Sequence, residues 1–187
     1  DEFESAALEA AVPFVDVSNL AVEDQKKWNI FQEILQTKND NDLRLDKDLR
    51  HTSEAFHEVL RAQYNSFPEE SRSQRGLITF LIARDLKSLE DLEFLKKVYQ
   101  ESPCLSLENC SSRGSVDPHL AGIEETSTNY PQMAALYQLE QQLNGNPNLF
   151  RDPNKKDYFL SIIEQALKFP VPAVQKKAAE IQAKFPF

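Results

Sequence analysis

Residues 75–100, RGLITFLIARDLKSLEDLEFLKKVYQ, show the helical pattern of this chain most clearly. Its apolar residues recur at spacings of three and four, which is the period of an amphipathic helix. Only residues 85–87 separate a helical segment that ends near Arg84 from another that begins at Ser88. So short a link between two helical segments predicts that they are antiparallel neighbours.

The same helical period continues along the rest of the chain, where no strand pattern longer than four residues occurs. The pairs Ser66/Glu69 and Ser88/Asp91 have the spacing of a capping box, which marks the start of a helix. We therefore predict one all-α domain over residues 1–187. The predicted helices cover residues 3–12, 22–36, 46–64, 66–85, 88–100, 129–144, 155–167 and 173–184.

Composition argues against several classes of function. The chain has 21 Lys and Arg against 30 Asp and Glu, a formal net charge of −9. Nucleic-acid backbones repel such a chain, so we expect a protein or peptide partner, with basic ones favoured, and no nucleic acid. The four glycines are scattered, which does not fit the Gly-rich turns of nucleotide-binding sites. No apolar run approaches the roughly 20 residues that a membrane-spanning helix needs.

The two cysteines, Cys104 and Cys110, fall in a stretch without helical period that predicts a long loop over residues 102–128. Loops longer than about 12–15 residues are uncommon in compact domains and are often functional or flexible. A disulfide between the two thiols would close a small ring and favour export to an oxidising compartment, periplasmic or extracellular. Free thiols in a cytoplasmic protein are the alternative, and whether a leader peptide was removed is left open.

One cluster in the sequence, His51, Glu54, His57 and Glu58, has side chains that could hold a metal ion. On a helix, His51, Glu54 and Glu58 would lie within about 60° of one another, with His57 farther round. Imidazole and carboxylate ligands suit zinc or iron. The helical zinc motif, however, needs histidines four residues apart, and these two are six apart. We therefore favour a solvated helix face, and we predict no metal or other cofactor.

Residues 68–101 and 155–187 resemble units of the HEAT-repeat family. Asp85 lies in a short turn that is similar to the turn within a HEAT helix pair. Residues 172–181, PAVQKKAAEI, resemble the family's usual first helix, which opens with Pro and Val and carries small Ala residues. The resemblance implies an irregular α-solenoid built from antiparallel helical hairpins. HEAT repeats run about 40–47 residues, and no regular period links the units here, so an irregular helical bundle is the alternative.

The resemblance also implies a function in binding. HEAT arrays present a surface lined by second helices to other proteins, which would put Glu93, Lys96, Lys97 and Gln100 on such a surface. A solvated helix face explains these four residues equally well. We predict a non-catalytic protein-binding or scaffolding module of open oligomeric state. The alternatives are a metal-dependent helical enzyme that uses the cluster at residues 51–58, and a carrier of an apolar ligand.

Overall fold

All regular structure in the described residues of this computed structural model is helical, which confirms the all-α fold class. The structure describes residues 13–112, 121–146, 149 and 152–185, so the helix predicted over 3–12 lies outside it. In chain order the helices are α1 (Val22–Thr37), α2 (Arg44–Lys47), α3 (Glu54–Ser66), α4 (Arg72–Arg84), α5 (Leu89–Val98), α6 (Ala121–Thr128), α7 (Tyr130–Gly145), α8 (Pro153–Lys168) and α9 (Pro172–Lys184).

The helix predicted over residues 46–64 is wrong in its first half. After the single turn of α2 the chain is not α-helical until α3 begins at Glu54. Ser53 caps this helix, because its Oγ accepts a hydrogen bond from a backbone N–H in the first turn. Arg84 donates hydrogen bonds to the carbonyl oxygens of Leu45 and Leu49 at 2.9 and 2.7 Å. Because a distant side chain satisfies these carbonyls, the segment needs no helical hydrogen bonds for them.

The helix start predicted at Ser66 is also wrong. Ser66 is the last residue of α3, and its Oγ donates to the Gln63 carbonyl at 2.7 Å. The same Oγ accepts from Gln63 Nε2 at 2.9 Å. Both hydrogen-bonding roles of the hydroxyl are therefore used within α3, and α4 begins only at Arg72.

The loop predicted over residues 102–128 is helical in its last part, where α6 forms. Residues 102–112 are not helical, and residues 113–120 lie outside the described part of the chain. Asn129 precedes α7 and Ser88 precedes α5 directly, as predicted. The capping box predicted for Ser88 and Asp91 is wrong, because Ser88 forms no side-chain capping hydrogen bond and Asp91 instead pairs with His57 and Arg61.

Helix α4 is central to the packing. Its most extensive contact is with α7, and it also contacts α3, α5 and α6. At Gly76 the two helices approach so closely that an added Cβ would overlap the ring of Tyr130. The missing side chain of Gly76 thus permits the α4–α7 packing.

Helices α3 and α5 both contact α4 and run in the same direction. Their side chains meet in matching order, His57 with Asp91 near the starts of the helices and Tyr64 with Glu101 near the ends. The contacts are made by long or polar side chains, which leaves space between the two helix backbones.

Candidate functional site

A groove of about 330 Å³ opens between α3 and α5, and we call it the α3–α5 groove. The rings of Tyr64 and Phe94 lie along it edge to face, with their centroids 4.9 Å apart, and both side chains are buried. Val98 adds a third apolar side chain. The charged lining residues are Arg61 from α3, Glu90, Glu93 and Lys97 from α5, and Glu101 just after it.

A buried ionic cluster joins the two helices at one end of this groove. Asp91 Oδ2 lies 2.8 Å from His57 Nδ1, and Arg61 Nη1 donates to Asp91 Oδ1. The backbone N–H of Lys87 donates to Asp91 Oδ2 at 2.8 Å. Burial raises the pKa of Asp91, but these hydrogen bonds and the nearby charges outweigh burial, so its pKa lies below the usual value. The carboxylate is therefore held ionised as the link between α3 and α5.

His57 has a second partner, because its Nε2 lies 2.9 Å from Thr52 Oγ1. Hydroxyl, imidazole and carboxylate in this order also occur in nucleophilic catalysis. Here Thr52, His57 and Asp91 are all buried, and none of the three lines the α3–α5 groove. A structural link between the start of α3 and α5 accounts for the arrangement.

Glu101 closes the opposite end of the groove. It accepts hydrogen bonds from Tyr64 Oη at 2.9 and 3.0 Å and from Arg75 Nη2 at 2.6 Å. The Arg75 guanidinium also lies over the Tyr64 ring, 4.2 Å from its centroid. Burial raises the pKa of Glu101, and the opposing effects of Arg75, Tyr64 and Arg72 do not fully offset it. The carboxylates of Asp91, which is buried behind one end of the groove, and of Glu101, which lines the other end, thus have pKa values shifted in opposite directions.

A second groove of about 360 Å³ lies between the end of α5 and α8, and we call it the α5–α8 groove. Glu101 lines both grooves, so they adjoin at this residue. Gln100 and Pro103 form one side of the α5–α8 groove, and Lys168 and Phe169 form the other. Together the grooves follow α5 and the chain just after it.

The structure places the four predicted partner-binding residues differently. Glu93 and Lys97 line the α3–α5 groove, Gln100 lines the α5–α8 groove, and Lys96 lines neither. Lys97 and Gln100 are exposed, whereas Glu93 and Lys96 are half-buried. Sequence reasoning missed the contribution of α3 altogether, since no local spacing indicates that α3 lies beside α5.

The four predicted metal candidates are not brought together. His57 points into the buried cluster, whereas the side chains of His51, Glu54 and Glu58 are exposed, and His51 precedes α3. Among the described residues, no group of three or more His, Cys, Asp and Glu side chains is arranged to hold a metal ion. A metal site at these residues stays an untested alternative, and their placement does not favour it.

Cys104 and Cys110 form the predicted disulfide, with their Cα atoms 4.1 Å apart. The backbone N–H of Cys110 donates to Glu70 Oε1 at 3.3 Å, which ties the ring to the segment before α4. The ring exposes Leu105 and Leu107 while both sulfur-bearing side chains are buried. The bond thus fixes the start of the loop against the helical body.

No family model, curated protein or solved structure matches the chain in our comparisons. In the part of the chain that the structure describes, no helix has both the length and the apolar character to cross a membrane. The two grooves and their charges are therefore the features from which a function can be inferred.

Proposed function

We propose that this protein is a non-catalytic protein-binding or scaffolding module whose partner lies along α5. The observation that carries the proposal is the pair of adjoining grooves, about 330 and 360 Å³. Buried aromatic side chains rimmed by charged ones are typical of places where a partner protein inserts its side chains. Three of the four residues that the HEAT resemblance implies as partner-binding, Glu93, Lys97 and Gln100, line these grooves.

We further infer an irregular α-solenoid, with an irregular bundle as the alternative. In support, α5 contacts both α4 and α8, and its side chains meet those of α3, so that α3, α5 and α8 are consecutive neighbours. Helices α4 and α7 also run in the same direction, because Arg72 meets Gln132 and Arg84 meets Gln142. With α9 against α7, two rows of helices result, α3–α5–α8 and α4–α7–α9. Stacked rows of this kind present continuous surfaces to partners.

We also propose an exported location, periplasmic or extracellular, with a cytoplasmic one as the alternative. The support is the bond between Cys104 and Cys110, because disulfides persist mainly in oxidising compartments.

Site-specific photo-crosslinking tests the binding function. The photoreactive residue benzoylphenylalanine replaces Lys97 in one protein and Gln175, an exposed residue of α9, in a control. In extracts of the source organism, we expect Lys97 and not Gln175 to yield a discrete cross-linked protein. Equal yields, or none from either position, would contradict the proposal.

Two other results would favour one of the alternative functions. Stoichiometric zinc or iron in protein purified without added metal would favour a metal-dependent enzyme that uses His51, Glu54, His57 and Glu58. An apolar molecule that co-purifies and is identified by mass spectrometry would favour the ligand carrier.

A further inference from the structure

We propose that the α3–α5 groove binds the side chain of an arginine or lysine from a partner peptide. This inference rests on the proposed binding function and specifies the chemistry of the partner. Three features of the groove support it: its apolar lining, the distribution of its free charges and its size.

The apolar lining suits the aliphatic part of a long cationic side chain. Phe94 and Val98 on α5 face Tyr64 on α3 across the groove. Arginine and lysine bury their methylene stems along such surfaces while the charged group stays near water. A guanidinium or ammonium group is also attracted to the face of an aromatic ring. Arg75 of the protein itself covers one face of the Tyr64 ring in this way, 4.2 Å from its centroid, so that face is not free for a ligand.

Two of the five charged lining residues are neutralised within the protein. Arg61 donates to the buried carboxylate of Asp91, and Glu101 accepts from Arg75 at 2.6 Å. These charges hold the helices together and are not available to a ligand without breaking an internal pair.

The remaining charges leave the mouth of the groove negative. Glu90 and Glu93 form no ion pair with any described residue, and neither does Lys97. Glu90 and Glu93 are three residues apart on α5, so their carboxylates lie on the same face of the helix. Two free carboxylates against one ammonium group attract a cation and repel an acidic side chain. The net charge of −9 over the whole chain acts in the same sense.

The size of the groove limits what it can hold. Its volume of about 330 Å³ is near the lower end of the range of roughly 300–1,000 Å³ that is usual for small-ligand sites. This volume suits one long side chain and the backbone beside it. A partner helix would have to lie across the rim.

Peptide binding to the full chain tests the proposal. The probes are the blocked peptides acetyl-Gly-Ser-Xaa-Ser-Gly-amide with arginine, lysine or citrulline at Xaa, where citrulline is a neutral analogue of arginine. In a titration followed by ¹H–¹⁵N NMR, we expect the arginine and lysine peptides to shift the amide signals of Phe94, Lys97 and Val98. Citrulline should bind about fivefold more weakly, which corresponds to about 1 kcal/mol, the upper range for an exposed ion pair. Equal binding of citrulline, or shifts confined to other helices, would overturn the proposal.

Substitutions test whether the carboxylates of Glu90 and Glu93 attract the cationic peptide. The double variant Glu90→Gln/Glu93→Gln should weaken binding of the arginine peptide about fivefold. The control Glu54→Gln/Glu164→Gln removes two exposed charges outside the groove and should leave binding unchanged.

The substitution Lys97→Met removes the competing cation, so it should strengthen arginine-peptide binding, and it serves as the test if the double variant fails to fold. Weaker or unchanged binding would overturn the proposal. The crosslinking at Lys97 reports on partner binding independently. A cross-linked partner together with equal citrulline binding would leave the binding function standing and reject the cationic side chain.

Discussion

The α4–α7 and α3–α5 contacts show two ways in which neighbouring helices that run in the same direction can pack. Gly76 lets the Tyr130 ring lie against the backbone of α4, so the first pair closes tightly. Between α3 and α5, bridges from His57 and Arg61 to Asp91 hold the helices through long side chains, and a groove remains. Small side chains thus bring backbones together, whereas bridging polar side chains join helices at a distance. The second arrangement leaves a surface that a partner can occupy.

Removal of the Asp91 carboxylate, which links α3 to α5, should reduce stability more than any other substitution proposed below. Asp91→Ala leaves the buried His57 and the half-buried Arg61 without their common carboxylate, and we expect a loss of about 3–5 kcal/mol in unfolding free energy. Urea denaturation measures it, with Asp157→Ala, an exposed position on α8, as the control. A loss below about 1 kcal/mol, the value for a surface ion pair, would show that the cluster does not hold the helices together.

The close packing of α4 against α7 depends on the absence of a side chain at Gly76. Gly76→Ala introduces a methyl group against the Tyr130 ring, and we expect a loss of about 1–3 kcal/mol from overpacking. Gly145→Ala is the matched control, because no atom lies within 4 Å of its added Cβ. In thermal unfolding the control should be neutral or slightly stabilised. Equal effects at the two glycines would contradict the packing argument.

The disulfide ring lies outside both helix contacts, so its loss should change neither. The double variant Cys104→Ser/Cys110→Ser opens a ring whose cysteines are six positions apart. From the loop-closure entropy of the unfolded chain, we expect a loss of up to about 2 kcal/mol in unfolding free energy. We expect increased hydrogen exchange mainly in residues 102–112, with the α3–α5 and α4–α7 contacts retained. Intact mass after alkylation of the unfolded, unreduced protein tests the bond itself. Uptake of two alkyl groups would mean free thiols.

The smallest predicted effect comes from the opposed pKa shifts of Glu101 and Asp91, because the Glu101 side chain is 22% exposed. Its pKa is higher in the folded protein than in the unfolded chain. Its contribution to stability therefore falls as the pH rises above about 4.3, the unfolded value, through the folded pKa. The lowered pKa of Asp91 acts oppositely: its contribution is present above about 3.9 and is lost as the pH falls through the folded value.

Urea denaturation over a pH series separates these contributions. The stability of the unsubstituted protein relative to Glu101→Gln should decrease as the pH rises above about 4.3. An increase would contradict the assigned direction of the Glu101 shift.

Much of the fold follows from local patterns that the sequence displays. The helical period predicted α1, α5, α7, α8 and α9 to within a few residues. The pairing of Cys104 with Cys110 was also predictable, because cysteines so close in the chain can meet in a loop without any other contact. The break before Ser53 was not, because it depends on Arg84, which is distant in sequence.

The candidate site was predictable only in part. Glu93, Lys97 and Gln100 came from a resemblance that placed them on one helix face. Arg61 and Tyr64 come from α3, and the link from His57 to Asp91 spans 34 residues. The sequence does not show whether a charged side chain faces solvent or a buried partner. The pattern at residues 51–58 is therefore also typical of a solvated helix face, although His57 is buried.

The helical class, the negative charge and the proximity of the two cysteines follow from the amino-acid sequence alone, because they depend on composition and on residues near one another in the chain. The position of α3 beside α5, the burial of particular carboxylates and the location of the grooves are set by the packing of helices that are distant in sequence. The physical reason is that burial and pairing arise when distant helices pack, and the free energy of a charged side chain depends on the partners that this packing supplies.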